Sequence, residues 1–278
     1  KSSFRRMMRR IEVEPLDIDA LGSRVVAEFF KVHKKFSDDG RERRILDGFS
    51  YRVSRGDRIG IIGKNGSGKT SFLRLLIGEI KPDAGKVKLA KDIIFSYFDQ
   101  KRQDMRPEDT VKQVLCSQGG EYLKVMGKTR HVCGYLKDFL FDPSMVDQKV
   151  LTLSGGQKNR LLLAKVLANP QSLLILDEPT NDLDMDTLDM LEEILSQYNG
   201  TLIVVSHDRD FLDQIVTRII SFEGDTKIDG CVGGYTDYIE YKKNKTDDDR
   251  DEDVFQPERK TPKPSPAPVP SAPRAVQK

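Results

Sequence analysis

The 278-residue chain has no tryptophan, only three cysteines and only three histidines. Cys116, Cys133 and Cys231 lie far apart with no C-x-x-C among them. That pattern excludes a disulfide scaffold as the organising principle and gives no support to a metal knuckle; it suits reduced thiols. Also lacking is any apolar run near the roughly 18 residues a membrane span requires. The first residues are basic but carry no apolar core of the signal-peptide kind. A cytoplasmic protein without a membrane domain is therefore expected. Net charge is small, +2 at pH 7, so no global basic field draws the molecule to nucleic acid or lipid.

Charge is nonetheless uneven. Lys1, Arg5, Arg6, Arg9 and Arg10 cluster with no acid among residues 1–10, which reads equally as a solvated helical face and as an arm for phosphates. The start at Lys1 rather than Met suggests a piece of a longer chain. At the other end the composition shifts from Asn244. An acidic run (Asp247, Asp248, Asp249, Asp251, Glu252, Asp253) gives way to KTPKPSPAPVPSAP, and seven of the thirteen prolines follow Phe255. Such a stretch cannot bury a core, so 245–278 is expected to be a disordered linker and 1–22 the end of a basic one. Between them, residues 23–244 form one folded domain, since 37% hydrophobic residues suffice for a single large α/β unit.

Within that domain, strands and helices alternate. Strands are expected at Val25–Val32, Ile45–Val53, Arg58–Ile62, Lys86–Ala90, Ile93–Phe98, Leu173–Leu176, Thr201–Val205 and Arg218–Phe222. Helices are expected at Thr70–Ile77, Ser154–Ala168, Asp186–Gln197 and Arg209–Val216, with Thr110 to Phe141 mainly helical. Apolar strands separated by helices imply a mainly parallel sheet covered on both faces.

Gly63-Lys64-Asn65-Gly66-Ser67-Gly68-Lys69-Thr70 fits G-x-x-x-x-G-K-[ST] between an expected strand and an expected helix, the context this motif needs. Its backbone N–H groups and the helix N-terminus make a nest for phosphate oxygens. Lys69 can bridge the outer phosphates and the Thr70 hydroxyl can ligate Mg²⁺, with Ser71 the next residue on the helix. Downstream, Leu173–Leu176 runs into Asp177 and Glu178. Asp177 can hold Mg²⁺, and Glu178 can polarise an attacking water. A lone acidic pair would be a solvated strand end; a P-loop in the same chain changes that reading.

Leu153-Ser154-Gly155-Gly156-Gln157 lies between these motifs. A P-loop, then LSGGQ, then LLILDEPT resembles the ATP-binding cassette (ABC) superfamily over Val25 to Lys243. The resemblance implies a P-loop NTPase fold with an antiparallel β subdomain and a helical signature subdomain near 105–152, and ATP with Mg²⁺ as ligands. It makes Gln100 the Q-loop glutamine, a Mg²⁺ or water contact. Asn181-Asp182-Leu183-Asp184 matches the D-loop, and His207, in Ser206-His207-Asp208, the switch histidine. Ser154, Gly155, Gly156 and Gln157 would form a second anion site, presented to ATP held by another cassette. It also places an adenine-stacking aromatic ahead of the P-loop, after the first strand, for which Phe36 is the candidate; Phe49 and Tyr51 alternate within a strand and read as core. His33 and His131 read as structural.

TNDLD followed by SHDRDFLD resembles the ABC-F branch, with two cassettes per chain and no membrane domain. Phe222-Glu223-Gly224, Val232-Gly233-Gly234-Tyr235 and the charged, proline-rich tail resemble its Uup-like group, which makes this the second, C-terminal cassette. The resemblance implies an ATPase acting on ribosomes, with rRNA or tRNA as partner; the alternative is a DNA-directed ATPase working on branched DNA. The motor subunit of a transporter is a weaker third reading.

Overall fold

Both faces of the central strands are buried, and alternate residues enter different cores. The computed structural model describes residues 24–38, 41–99, 105–125, 127–181 and 183–248. The N-terminal basic cluster, Gln100, Asp182 and the proline-rich tail lie outside the described residues. Eleven strands are described: β1 (Val25–Asp38), β2 (Arg41–Ser54), β3 (Arg58–Gly63), β4 (Ala84–Leu89), β5 (Phe95–Asp99), β6 (Tyr122–Val125), β7 (Lys128–His131), β8 (Leu173–Asp177), β9 (Thr201–Val205), β10 (Arg218–Gly224) and β11 (Lys227–Val232). The helices are α1 (Lys69–Leu76), α2 (Val111–Leu115), α3 (Val132–Asp138), α4 (Gly155–Ala168), α5 (Met185–Gln197), α6 (Arg209–Ile215) and α7 (Tyr235–Asp248).

The main sheet has the order β11-β10-β3-β9-β8-β5. Five of its strands run parallel, and β11 pairs antiparallel with β10 at one edge. Leu174, Leu176, Leu202 and Val204 enter the core shared with α4, α5 and α6. Their neighbours Leu173, Ile175, Ile203 and Val205 enter the core shared with α1 and the second sheet. The alternation follows from the two-residue period of a strand, and it explains why these segments are apolar at every position. The carboxyl ends of β3, β8 and β9 thereby collect at one rim of the sheet, the place where α/β folds bind ligands.

The second sheet, β2-β1-β4, is antiparallel. Here β1 and β2 extend beyond the expected Val25–Val32 and Ile45–Val53. Apart from Phe36 the added residues are polar and hide the alternation, but pairing continues through Lys35↔Arg44, Phe36↔Arg43 and Ser37↔Glu42. A Lys35–Glu42 ion pair of 2.7 Å supports it across the strands. Phe36, expected after the first strand, thus lies inside β1.

The stretch from Thr110 to Phe141 departs further from expectation, for it is not mainly helical. Two short helices, α2 and α3, flank the antiparallel hairpin β6–β7. Tyr122–Val125 alternates exposed and buried residues, and Gly127 sits in the turn at φ +83°. The alternation spans only four residues, too few to outweigh the helical neighbours. α7 is likewise unanticipated and carries a helix as far as Asp248, into the acidic run.

Candidate functional site

The loop after β3 is shaped by what its glycines lack. Gly63 adopts φ +147°, and a Cβ there would strike the Phe222 carbonyl oxygen. Gly68, the N-cap of α1, sits at φ +116° with no side-chain cap, and a Cβ there would collide with Ile45. Both backbones are therefore open only to glycine. Asn65 and Gly66 span the turn between them. Ser67 is buried, with its Oγ unpartnered. α1 begins at Lys69, so its first amides stand uncapped at the loop, a ready anion site.

Lys69 is only 7% exposed. Its Nζ donates to Gly63 O at 2.7 Å and Lys64 O at 3.3 Å, and lies 3.5 Å from His207 Nε2. Burial pushes its ammonium below the ordinary lysine range, while the Glu178 and Asp177 carboxylates pull it back up. The Thr70 hydroxyl, one residue on, reaches Asp177 Oδ2 at 3.4 Å; Ser71 follows within α1. Asp177 ends β8 and is buried.

Glu178 leaves the strand at φ +53°, a left-handed conformation that costs a side-chain-bearing residue about 1–2 kcal/mol. Its amide donates to Val205 O at 2.8 Å, holding the turn against β9. The turn brings Glu178 Oε1 within 3.3 Å of His207 Nε2, and leaves Oε2 buried with no hydrogen-bond partner among the described residues. His207 is itself held: the Ser206 Oγ accepts from the Asp208 amide at 3.0 Å and lies 3.0 Å from the Thr180 hydroxyl. That hydroxyl pair ties together the loops after β8 and β9. The structure thus gathers Gly63 to Ser71, Asp177, Glu178 and His207 at one rim.

The group fits a triphosphate with a hard cation. Thr70 and Asp177 offer oxygen donors side by side, suited to Mg²⁺, which takes few protein ligands and shares substrate phosphates. Among the described residues no cluster of three His, Cys, Asp or Glu side chains could hold a metal alone. Glu178 provides a carboxylate with one oxygen unengaged, as a base for water requires.

The signature residues do not join this group. Ser154 caps α4 in a capping box: its Oγ accepts from Gln157 N at 3.3 Å, and Gln157 Oε1 accepts from Ser154 N at 2.8 Å. Gly155 faces open space, and Gly156 follows in the first turn. Arg160, further along α4, pairs with Asp184 at 3.1 Å and so ties the signature helix to the N-cap of α5. Phe36 is 39% exposed near the end of β1, with Lys34 Nζ 5.3 Å from its ring centre; Phe49 and Tyr51 lie in or against the core. Tyr97 and Thr180 were not anticipated. The Tyr97 hydroxyl stands 3.5 Å from Asp177 Oδ2, a proximity created by the pairing of β5 with β8, which no local pattern encodes.

Among the described residues no helix is long and apolar enough to cross a membrane. The family described as ABC transporter matches residues 46–181. The chain is 45% identical over 257 residues to the ATP-binding protein Uup of Caulobacter vibrioides, covering 92% of this chain and 41% of that protein. It is 48% identical over 195 residues to Uup of Escherichia coli K12, covering 70% and 31%. The energy-dependent translational throttle protein EttA of Escherichia coli O6:H1 is 37% identical over 223 residues, covering 80% and 39%. The chain thus spans less than half the length of these curated relatives. A dimeric bacterial ABC transporter cassette shares the fold, with a TM-score of 0.57 at 22% identity over 74% of this chain and 98% of that one. With a glycine-dependent phosphate loop, a strand-end acid pair and a helix-capping signature in one fold, and with these relatives, the chain belongs to the ATP-binding cassette family, among the Uup-like ABC-F proteins.

Proposed function

We propose that this cassette binds MgATP and hydrolyses it as the second of two cassettes in a longer ABC-F chain that acts on ribosomes. The observation that carries the reading is the Glu178 carboxylate. One oxygen lies 3.3 Å from His207 and the other is buried without a hydrogen-bond partner among the described residues, beside a lysine in a phosphate loop. In this reading Lys69 and the loop amides of Asn65 to Thr70 hold the phosphates. Thr70, Asp177 and Gln100 would hold Mg²⁺, which when bound would supply charge neutralisation to the phosphate oxygens. Glu178 takes the proton of the attacking water and His207 keeps that carboxylate aligned. Phe36 stacks on adenine. Ser154, Gly155, Gly156 and Gln157 close over a nucleotide held by the other cassette, because their own helix start stands apart from the P-loop group.

The ribosomal partner, in the cytoplasm, is supported by the relative named for throttling translation. The test is co-sedimentation of the full-length Glu178→Gln protein with ribosomes in ATP, with branched DNA as competitor. ATP-dependent pelleting that branched DNA does not relieve is the expected result. Loss of pelleting to branched DNA would replace the ribosome with DNA as the target.

A further inference from the structure

We propose that Arg43 is a second cationic phosphate-binding residue of this site, gripping the nucleotide's phosphate chain from the β2 side of the P-loop. The proposal rests on the nucleotide reading above and adds a residue that no motif contains.

β2 rides along the phosphate loop with alternate side chains. Ile45 lies where a Cβ on Gly68 would be, and two residues earlier Arg43 approaches Gly66. A Cβ built on Gly66 would stand 3.1 Å from Arg43 Nη1, 3.5 Å from Nη2 and 3.7 Å from Cζ. The fork of the guanidinium, rather than its apolar stem, is thus what meets the loop at the turn between Asn65 and Ser67.

Two further observations give that placement a purpose. Neighbouring cations find carboxylates: Lys35 pairs with Glu42, Arg44 with Asp47, and Arg52 with Glu28. Arg43 has no such ion pair among the described residues. An exposed arginine held against a loop of anion-seeking amides, with no carboxylate on it among the described residues, has donors available to a phosphate. In addition, Phe36 is the direct cross-strand partner of Arg43, so their side chains share a face of the sheet. A base stacked on Phe36 would lead its phosphates toward Arg43 and the loop. A guanidinium presents planar, paired donors that match phosphate oxygens, which an ammonium does not.

The experiment is calorimetric titration of the protein and of its Arg43→Ala and Arg43→Lys variants with ATP, ADP and adenosine, at low and high salt. Arg43→Ala should weaken ATP and ADP about tenfold at low salt, as expected for one charge-assisted contact. It should flatten the salt dependence, leave adenosine unaffected and leave the unliganded Tm unchanged. Arg43→Lys should fall between, since it keeps the charge and loses the fork. ATP affinity within twofold of the parent in Arg43→Ala overturns the proposal. So does an equal loss for ATP, ADP and adenosine, which would assign the guanidinium to the base. A parent protein that binds no ATP would instead remove the nucleotide reading on which the proposal stands.

Discussion

The rim at the ends of β3, β8 and β9 and the start of α4 both read as phosphate sites, yet they are built in opposite ways. The first is partly buried and under tension: Lys69 is desolvated, Glu178 sits at φ +53°, and its buried Oε2 has no hydrogen-bond partner among the described residues. The second is exposed and self-satisfied, because Ser154 and Gln157 spend their side chains on each other's backbone. A site that stores strain and leaves a buried oxygen unengaged is prepared for chemistry. A helix start whose cap is already satisfied stores no such strain. Under the proposed function, the contrast is between a reaction centre at the rim and, separately, a surface offered to another cassette.

The largest effect that would sharpen this contrast comes from Glu178→Gln. It is expected to slow ATP hydrolysis about 10²–10⁴-fold while leaving ATP affinity near normal, measured by phosphate release and titration; near-normal turnover would remove the reaction centre from the rim. Lys69→Ala follows. Loss of a charge-assisted contact of about 1.5–3 kcal/mol should weaken ATP binding about 10- to 100-fold, and unchanged affinity would place Lys69 outside the site.

Ser154→Arg addresses the other region. If the signature serves a second copy, turnover per molecule of residues 1–278 assayed alone should rise with protein concentration, because separate copies must meet by diffusion, whereas two cassettes joined by a flexible linker would share an effective local concentration of order mM. The arginine should suppress that rise and leave ATP affinity alone; a fast, concentration-independent rate in a verified monomer would mean that one cassette is complete. The smallest effect is expected from Phe36→Ala. Losing a stacking face worth about 0.5–1.5 kcal/mol should weaken ATP and ADP alike, by severalfold in the same titrations. A loss confined to ATP would contradict a role at the base.

Much of the rim was legible because its chemistry is local in the chain. Gly63 to Thr70 must be contiguous for a backbone nest, and Asp177 and Glu178 must adjoin for one strand end to deliver both. Thr110 to Phe141 was misread because hairpin β6–β7 is short and its four-residue alternation sits among helix-compatible residues. Phe36 was read as lying past a strand that in fact continues, since cross-strand ion pairs rather than apolar alternation hold that part of β1.

The sequence by itself determined the sheet strands that are apolar throughout, the phosphate loop, the acid pair and the order of motifs, because each depends on residues near one another along the chain. Only the tertiary structure decided that Glu178 meets His207 across β8 and β9, that Tyr97 stands beside Asp177, and that Arg43 overlies Gly66. Those contacts depend on strand order and on register between separate sheets, which long-range packing selects and no local pattern encodes.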